Sequence, residues 1–456
     1  MNALAAPERY NFRPMSILSR LAGDPLLGRV VRASASLLSN NSISLGLSVV
    51  QSILVARLLG PAGFGLVAII TGYASTVNGL LSFRMSELVV RYGGEYLERN
   101  ETERTAALVK AASLGEALVS TFAFLFIAVT AALASQWIAR TPGTAVLFVM
   151  YGLGLLANFN TETSSGVLQM LDKIRLQGLV NLVQSLLTAG LIVFAFFTKG
   201  NLEFVIYAYL AGKIVLGLGM FSVALFHLTK RLGTGWWRAR IDSLPQIGEL
   251  TRFAFSSNLS ATAILVFRES EILWVGYFLT SEAAGYYKAA YAIISLLSVP
   301  ANPFILTTYP EINRLVVQKA WSRLRDFLKK ITGISAAYNL ALALGFALFG
   351  RGLLAIYGEQ YVVAYPALIA LLIGFTFNYI LFWNRPLLLT LGLPGFPLKA
   401  TVTAGFVKLA LAFPLVPRFG YVAEAALLSM YYITSVGAIV WRGLKEIRRN
   451  EDRAHH

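Results

Sequence analysis

The sequence predicts an all-α polytopic membrane protein of about twelve transmembrane helices, and three observations carry that prediction. Apolar residues make up 56% of the 456-residue chain and charged residues only 14%, so lipid must solvate most of its surface. The apolar residues gather in runs of about 20, the length a helix needs to cross a bilayer. Finally, Leu58 to Ile69, LLGPAGFGLVAI, returns in degenerate form 220 residues later as Phe278 to Ala289, FLTSEAAGYYKA. Each copy sits between two long apolar segments, and each is followed by a basic amphipathic stretch and a third apolar segment. That order predicts six spans duplicated to twelve, as two six-helix lobes related by an internal repeat.

The spans read as residues 40–59, 62–83, 108–134, 143–167, 176–197 and 202–227 in the first lobe. In the second they are 253–279, 283–307, 331–349, 363–391, 395–416 and 420–441. The domains that follow are a basic N-terminal segment (1–38), a lobe (39–228), a linker (229–252), a second lobe (253–441) and a basic tail (442–456). Barrel strands are shorter and alternate in polarity, whereas helices satisfy their own backbone groups in lipid. The first 36 residues are polar and carry Arg9, Arg13, Arg20, Arg29 and Arg32, so no cleavable signal is expected.

The net charge of +16 suggests nucleic acid only until the cations are placed. Most fall in the tails and the even-numbered loops, whereas Arg140, Lys199, Arg351 and Arg418 fall in the odd-numbered ones. This asymmetry puts both termini in the cytoplasm and favours anionic headgroups there, with no nucleic-acid partner. The longest connection, 228–252, is basic and carries Trp236 and Trp237, as suits a segment at the interface. No loop has room for a soluble catalytic domain. The nearest approach to a phosphate loop, Gly212-Lys213-Ile214, lies inside a span and lacks the hydroxyl, so direct ATP drive is not expected. His227 is the only histidine away from the C-terminus and there is no cysteine, so neither histidine chemistry, a metal site nor a cofactor is expected. An enzyme is the minority reading.

Ionisable groups at membrane depth cost roughly 2.5–3.5 kcal/mol each unless they pair or face water, so they point to a cavity. The densest group is FRESEILWVG in span seven, with Arg268, Glu269 and Glu271. Arg268 and Glu271, three apart, share a helical face and either pair internally or present a cation to an anionic substrate beside a tuning carboxylate. Span one carries a polar stripe of Ser44, Ser48, Gln51 and Ser52, with Arg57 near its end. Span two adds Asn78 and ends in Arg84, which either faces the lumen or snorkels to headgroups. Span four holds the polar run NFNTETSSG with Asn158, Asn160, Glu162 and Ser165. Lys213 and Lys408 lie deep in spans six and eleven, and Lys288 near the start of span eight is either a ligand or a snorkelling cation. Glu116 in span three is a counter-charge or proton site, or a helix-packing residue. Tyr287, Tyr291, Phe382 and Trp383 offer faces for a sugar, and Pro300, Pro303 and Pro386 are expected hinges.

The turn ARLLGPAGFGLVAI, its echo YFLTSEAAGYYKAAYAI, and the charged helices SELVVRYGGEYLERNETERTAALVKAAS and PEINRLVVQKAWSRLRDFLKK resemble the polysaccharide transporter family. These are Wzx-type lipid-linked oligosaccharide flippases of the multidrug/oligosaccharidyl-lipid/polysaccharide exporter superfamily, and the resemblance covers the chain after residue 38. It implies a V-shaped molecule with a central cavity in the bacterial inner membrane. Such a molecule moves an undecaprenyl-diphosphate-linked oligosaccharide by alternating access and works beside a polysaccharide polymerase and other assembly proteins. The diphosphate would meet Arg268, Arg57, Lys213, Lys288 and Lys408, with Asn78, Gln51 and Tyr291 beside the sugar; arginine offers the better planar fork. Glu269, Glu271, Glu116 and Glu162 would couple or pair charge, and they keep a cation-coupled multidrug exporter as the alternative. A lipid II flippase of the same superfamily is the other alternative, less favoured because those flippases typically carry two further C-terminal spans.

Overall fold

The computed structural model describes residues 25–82, 84–244, 248, 262 and 265–455, with side chains from Gly46 onward except at 243, 300, 302, 303, 306, 454 and 455. Arg9, Arg13 and Arg20, most of the linker after residue 244 and the first part of span seven lie outside the described residues, as do the side chains of Ser44, Pro300 and Pro303.

Among the described residues no strand occurs. Helix α1 (Pro25–Leu81) bends at Gly60, so it is two spans rather than one. Gly60 has φ 68°, which a side chain disfavours, and Pro61 then pre-sets the first turn of the second span. A helical segment, residues 85–98, with a π turn at Val89–Gly93, leads to α2 (Thr102–Leu133), then come α3 (Ala145–Ala157), α4 (Thr161–Met170), α5 (Ile174–Thr198) and α6 (Leu202–Leu232). The second half runs through a π-helical turn (Leu265–Glu269), α7 (Glu271–Phe278), α8 (Ser281–Ser295), α9 (Ser298–Val317) and α10 (Trp321–Tyr357). It ends with α11 (Tyr365–Ile380), α12 (Asn384–Thr390) and α13 (Gly395–His455), and α13 bends at Gly420 (φ 71°) as α1 does at Gly60. Seven helices among the described residues are long and apolar enough to cross a membrane, the bent Gly46–Leu81 and Gly395–Arg453 among them. Exposed Leu118, Phe122, Phe197 and Phe349 supply the lipid-facing surface.

The 220-residue register extends beyond the two turns that reveal it. Thr280 stands opposite Gly60 in the repeat, and it caps α8 by accepting from the Ala283 amide at 3.1 Å. Gly420 stands 220 residues after Gly200, which follows left-handed Lys199 (φ 54°) at the α5–α6 turn. Both halves also break their fourth span. The first breaks at Asn158–Asn160 between α3 and α4, and the second at Leu381–Trp383 between α11 and α12.

Four spans expected to be continuous are therefore interrupted, and polar residues hold the interruptions. Asn158 Nδ2 donates to the Gly154 and Lys213 carbonyls at 2.7 and 3.1 Å, which explains a run too polar for a lipid-facing helix. The Ser335 hydroxyl donates to the Tyr379 carbonyl at 2.8 Å beside the second break. Span eight divides between Ser295 and Ser298, and span seven takes its π turn at FRES.

The two halves meet where the second span of α1 crosses α8. A methyl group added at Gly65 would fall on the Ser281 carbonyl, and one added at Gly285 would fall on the Pro61 carbonyl. Each glycine thus admits the backbone of the other half. The contact lies at the end of the bundle opposite the termini, and it closes that end.

Candidate functional site

The π turn sets the direction of the span-seven charges. An extra residue in that turn and the break at Ser270 remove the three-residue register that would have paired Arg268 with Glu271. The two diverge, which corrects the expected pair. Arg268 turns toward a cavity of about 280 Å³ in the second half, which Asn378, Tyr379, Asn384, Arg385 and Tyr431 also line. Its guanidinium lies 5.8 Å from the Tyr432 ring centre, and its Nε has no hydrogen-bond partner among the described residues. Arg385 opens α12 and is exposed to this cavity. Arg268 and Arg385 thus share this cavity, whereas Arg84 of the first half pairs with Glu87 at 2.6 Å.

A second cavity, about 330 Å³, lies between the halves. Thr71 and Ser75 face it from α1, and Glu269, Glu271, Lys288 and Tyr291 face it from the second half. A third, about 130 Å³, shares Ser75 and is lined by Asn78, Tyr151 and Lys213. Neither Lys288 nor Lys213 has an ion-pair partner among the described residues. Unpaired cations facing cavities are prepared to meet an anion, since the alternative is an uncompensated charge out of water.

The structure thus brings Arg268, Lys213, Lys288, Asn78, Tyr291, Glu269 and Glu271 onto these cavities. It places the other expected residues elsewhere. Arg57 is exposed at the closed end, where its Nε donates to the Ile356 carbonyl at 2.7 Å across the two halves. Gln51 is buried and donates to the Ser185 carbonyl at 3.1 Å, joining the first and fifth spans. Glu116 accepts from the Glu162 and Thr163 amides, both at 2.8 Å, and so caps the N-terminus of α4. Glu162 in turn accepts from the Ser86 hydroxyl at 2.6 Å. Lys408 is 2% exposed and lines none of these three cavities; it pairs with Glu271 and lies 3.2 Å from Glu424 Oε1. Of the aromatic candidates, Tyr291 and Phe382 line cavities, Tyr287 bonds Glu271, and Trp383 donates to Thr332 at 2.7 Å.

Two residues escaped the sequence reading. Arg385 stands in NRPLLLT within an apolar run, and its charge beside a proline inside a span was the available signal. Glu424, 0% exposed, stands four positions after Gly420, and a carboxylate so near the start of a span has the same sequence signature as one that reaches the headgroups. Among the described residues no cluster of three His, Cys, Asp or Glu could hold a metal ion. The cavities offer guanidinium and ammonium groups for anions, and amide and phenol groups for hydroxyl-rich ligands.

Residues 30–316, well over half of the chain, match the model of a family described as polysaccharide biosynthesis protein. The inner membrane protein YghQ of Escherichia coli (strain K12) is 25% identical over 355 residues, covering 74% of this chain and 94% of the relative. The inward-facing conformation of a multidrug resistance MATE family transporter of the MOP superfamily superposes with a TM-score of 0.69 at 16% identity, over 90% of this chain and 95% of that one. A MOP superfamily transporter from Pyrococcus furiosus, whose binding pocket is described as reversed in polarity, superposes at 0.62 and 14% identity over 96% and 99%. These similarities and the helical architecture agree: the chain belongs to the polysaccharide biosynthesis protein family, and its polytopic all-α fold is that of the MOP superfamily transporters.

Proposed function

We propose that the protein is a flippase that carries an undecaprenyl-diphosphate-linked oligosaccharide across the cytoplasmic membrane by alternating access, for cell-surface polysaccharide biosynthesis. The observation that carries this reading is the cavity shared by Arg268 and Arg385. Two planar forks beside Asn378, Asn384, Tyr379 and Tyr431 suit a diphosphate joined to a polyhydroxylated headgroup. Lys288 adds a cation to the cavity between two lobes, 39–228 and 253–441, and Lys213 adds one to the adjoining cavity of the first lobe. With both termini in the cytoplasm, the Gly65–Gly285 contact shuts the far side and the cavity waits for a cytoplasmic substrate. The lipid tail would stay in the bilayer while the headgroup crosses, and a polymerase on the far side would consume it.

The second reading, a cation-coupled multidrug exporter, has one observation in its favour: Glu269 exposes a carboxylate to the cavity between the halves. Export phenotypes separate the two. Arg268→Ala and Arg385→Ala should stop surface polysaccharide export while the protein still reaches the membrane. Intact export with lost drug resistance in Glu269→Gln would instead establish the second reading.

A further inference from the structure

We infer that Glu271, Lys408 and Glu424 form a proton-exchange site in the second half of the molecule, with Lys408 as a tethered counter-ion that changes carboxylate partner as the proton comes and goes. The inference rests on the reading of the chain as a transporter, to which the site supplies a driving ion.

The geometry begins with charge balance. Glu271, Lys408 and Glu424 are 2%, 2% and 0% exposed, and two carboxylates against one ammonium sum to one negative charge. A net charge closed off from water is costly, and one monovalent cation removes it. Lys408 Nζ pairs with Glu271 and donates to the Phe267 carbonyl at 3.2 Å, while the Tyr287 hydroxyl donates to Glu271 Oε2 at 3.1 Å. Glu271 is therefore fully served as a carboxylate. Glu424 is not: Lys408 lies 3.2 Å from its Oε1 but out of line for a hydrogen bond, and both of its oxygens lack hydrogen-bond partners among the described residues. It is the group left to carry the cation, and its surroundings offer too few oxygens for a metal ion, so a proton fits.

A route exists as well. Glu271 and Tyr287 line the cavity between the halves, so water there reaches one carboxylate of the triad. As Lys408 moves from Glu271 to Glu424, the Glu424 proton would pass to Glu271, whose carboxyl meets the cavity water and exchanges it there; the reverse transfer restores the arrangement seen. Transfer between the two carboxylates leaves the three groups neutral, and the proton enters and leaves the site at Glu271. The groups facing the triad are Glu271 from α7, Tyr287 from α8, and Lys408 and Glu424 from α13. Tyr291 and Tyr432 stand one layer beyond, near Tyr287.

The repeat supplies a control within the molecule. In the 220-residue register, Glu271 corresponds to Gln51, Lys408 to Thr188 and Glu424 to Phe204. Gln51 bonds the Ser185 carbonyl and so joins the first and fifth spans, while the Thr188 hydroxyl stays within the fifth span, donating to the Gln184 carbonyl at 3.0 Å, so the equivalent positions of the first half carry no charge. The packing position does not require ions, and the second half has them nonetheless.

The test is infrared difference spectroscopy of the full chain in lipid nanodiscs across a pH series in H₂O and D₂O. The expected result is a deuterium-sensitive carboxylic-acid carbonyl band that Glu116→Gln retains, that Glu424→Gln removes, and that the neutral triple variant Glu271→Gln/Lys408→Met/Glu424→Gln, which needs no counter-ion to fold, also lacks. Absence of any such band in the parent protein, its survival in the triple variant, or its replacement by sodium-dependent thermal stabilisation would overturn the assignment. Headgroup transfer by the reconstituted protein should depend on an imposed pH gradient and lose that dependence in Glu424→Gln. A band that behaves as expected in a protein that moves no lipid-linked sugar leaves the proton site standing and removes the flippase reading instead.

Discussion

Gly65 and Gly285, one repeat length apart, each receive the backbone of the opposite half: the Ser281 carbonyl lies against the first and the Pro61 carbonyl against the second. The contact is self-complementary, as expected where two copies of one motif meet across an internal two-fold axis. Nothing but hydrogen fits at either position. Gly65→Leu or Gly285→Leu should therefore hold this end open, read as a longer distance between spin labels on the Gly60 and Thr280 turns. An unchanged distance distribution would show that the closed end does not depend on this approach.

Arg57 and Tyr361 fasten the same end. Arg57 Nε donates to the Ile356 carbonyl at 2.7 Å, and the Tyr361 hydroxyl donates to the Ala56 carbonyl at 3.1 Å. Each bond joins the two halves. Arg57→Ala should shift the label distances toward the open form and leave the affinity for a diphosphate lipid in the closed-end form unaltered. A loss of affinity without a conformational shift would place Arg57 on the substrate.

The guanidiniums at the cavity should behave differently. A charge-assisted hydrogen bond contributes about 1.5–3 kcal/mol, so Arg268→Ala and Arg385→Ala should each weaken diphosphate-lipid binding roughly 10- to 100-fold. Arg268→Lys keeps the charge without the fork and should fall between. Equilibrium binding to the purified protein checks all three.

Glu116 is predicted to be a helix cap. Its carboxylate accepts from two amides at the start of α4, and its loss in Glu116→Ala should destabilise the protein by about 1–2 kcal/mol, seen as a lower thermal midpoint. Transport per folded molecule should persist in Glu116→Gln. Lost transport at unchanged stability would make Glu116 a coupling residue.

Lys408→Met leaves Glu271 and Glu424 buried against each other without a counter-charge. Removing one partner of a buried ion pair costs about 3–5 kcal/mol, so this variant should unfold well below the parent, and adding Glu271→Gln and Glu424→Gln should recover most of the loss. Failure of the added substitutions to rescue would mean that Lys408 acts through packing alone.

The fold was largely legible because its signals are long. Apolar runs report spans over about 20 residues each, and Gly60 with Pro61 marks a turn that the second half repeats at Thr280. The interruptions were harder to see, because a break such as Asn158–Asn160 looks in sequence like a polar face of a continuous helix. The site was legible by type more than by direction. Arg268, Lys213 and Lys288 face cavities as an ionisable group at depth should, but a π turn decided which way Arg268 points, and helical spacing cannot anticipate one. Lys408 has the same sequence signature as Lys213 and a different role, since its neighbours Glu271 and Glu424 lie 137 and 16 residues away along the chain. Such partners become visible only when spans seven, eleven and twelve are packed together.

The most direct measurement is headgroup transfer in proteoliposomes that contain the purified protein and a labelled undecaprenyl-diphosphate oligosaccharide, followed by the label's accessibility to an enzyme or quencher added outside. The predicted result is transfer by the parent protein and its loss in Arg268→Ala and Arg385→Ala variants that retain the parent's thermal midpoint. No transfer by the parent, or equal transfer by all three, would contradict the assignment of the cationic cavity as the path of a diphosphate-linked sugar.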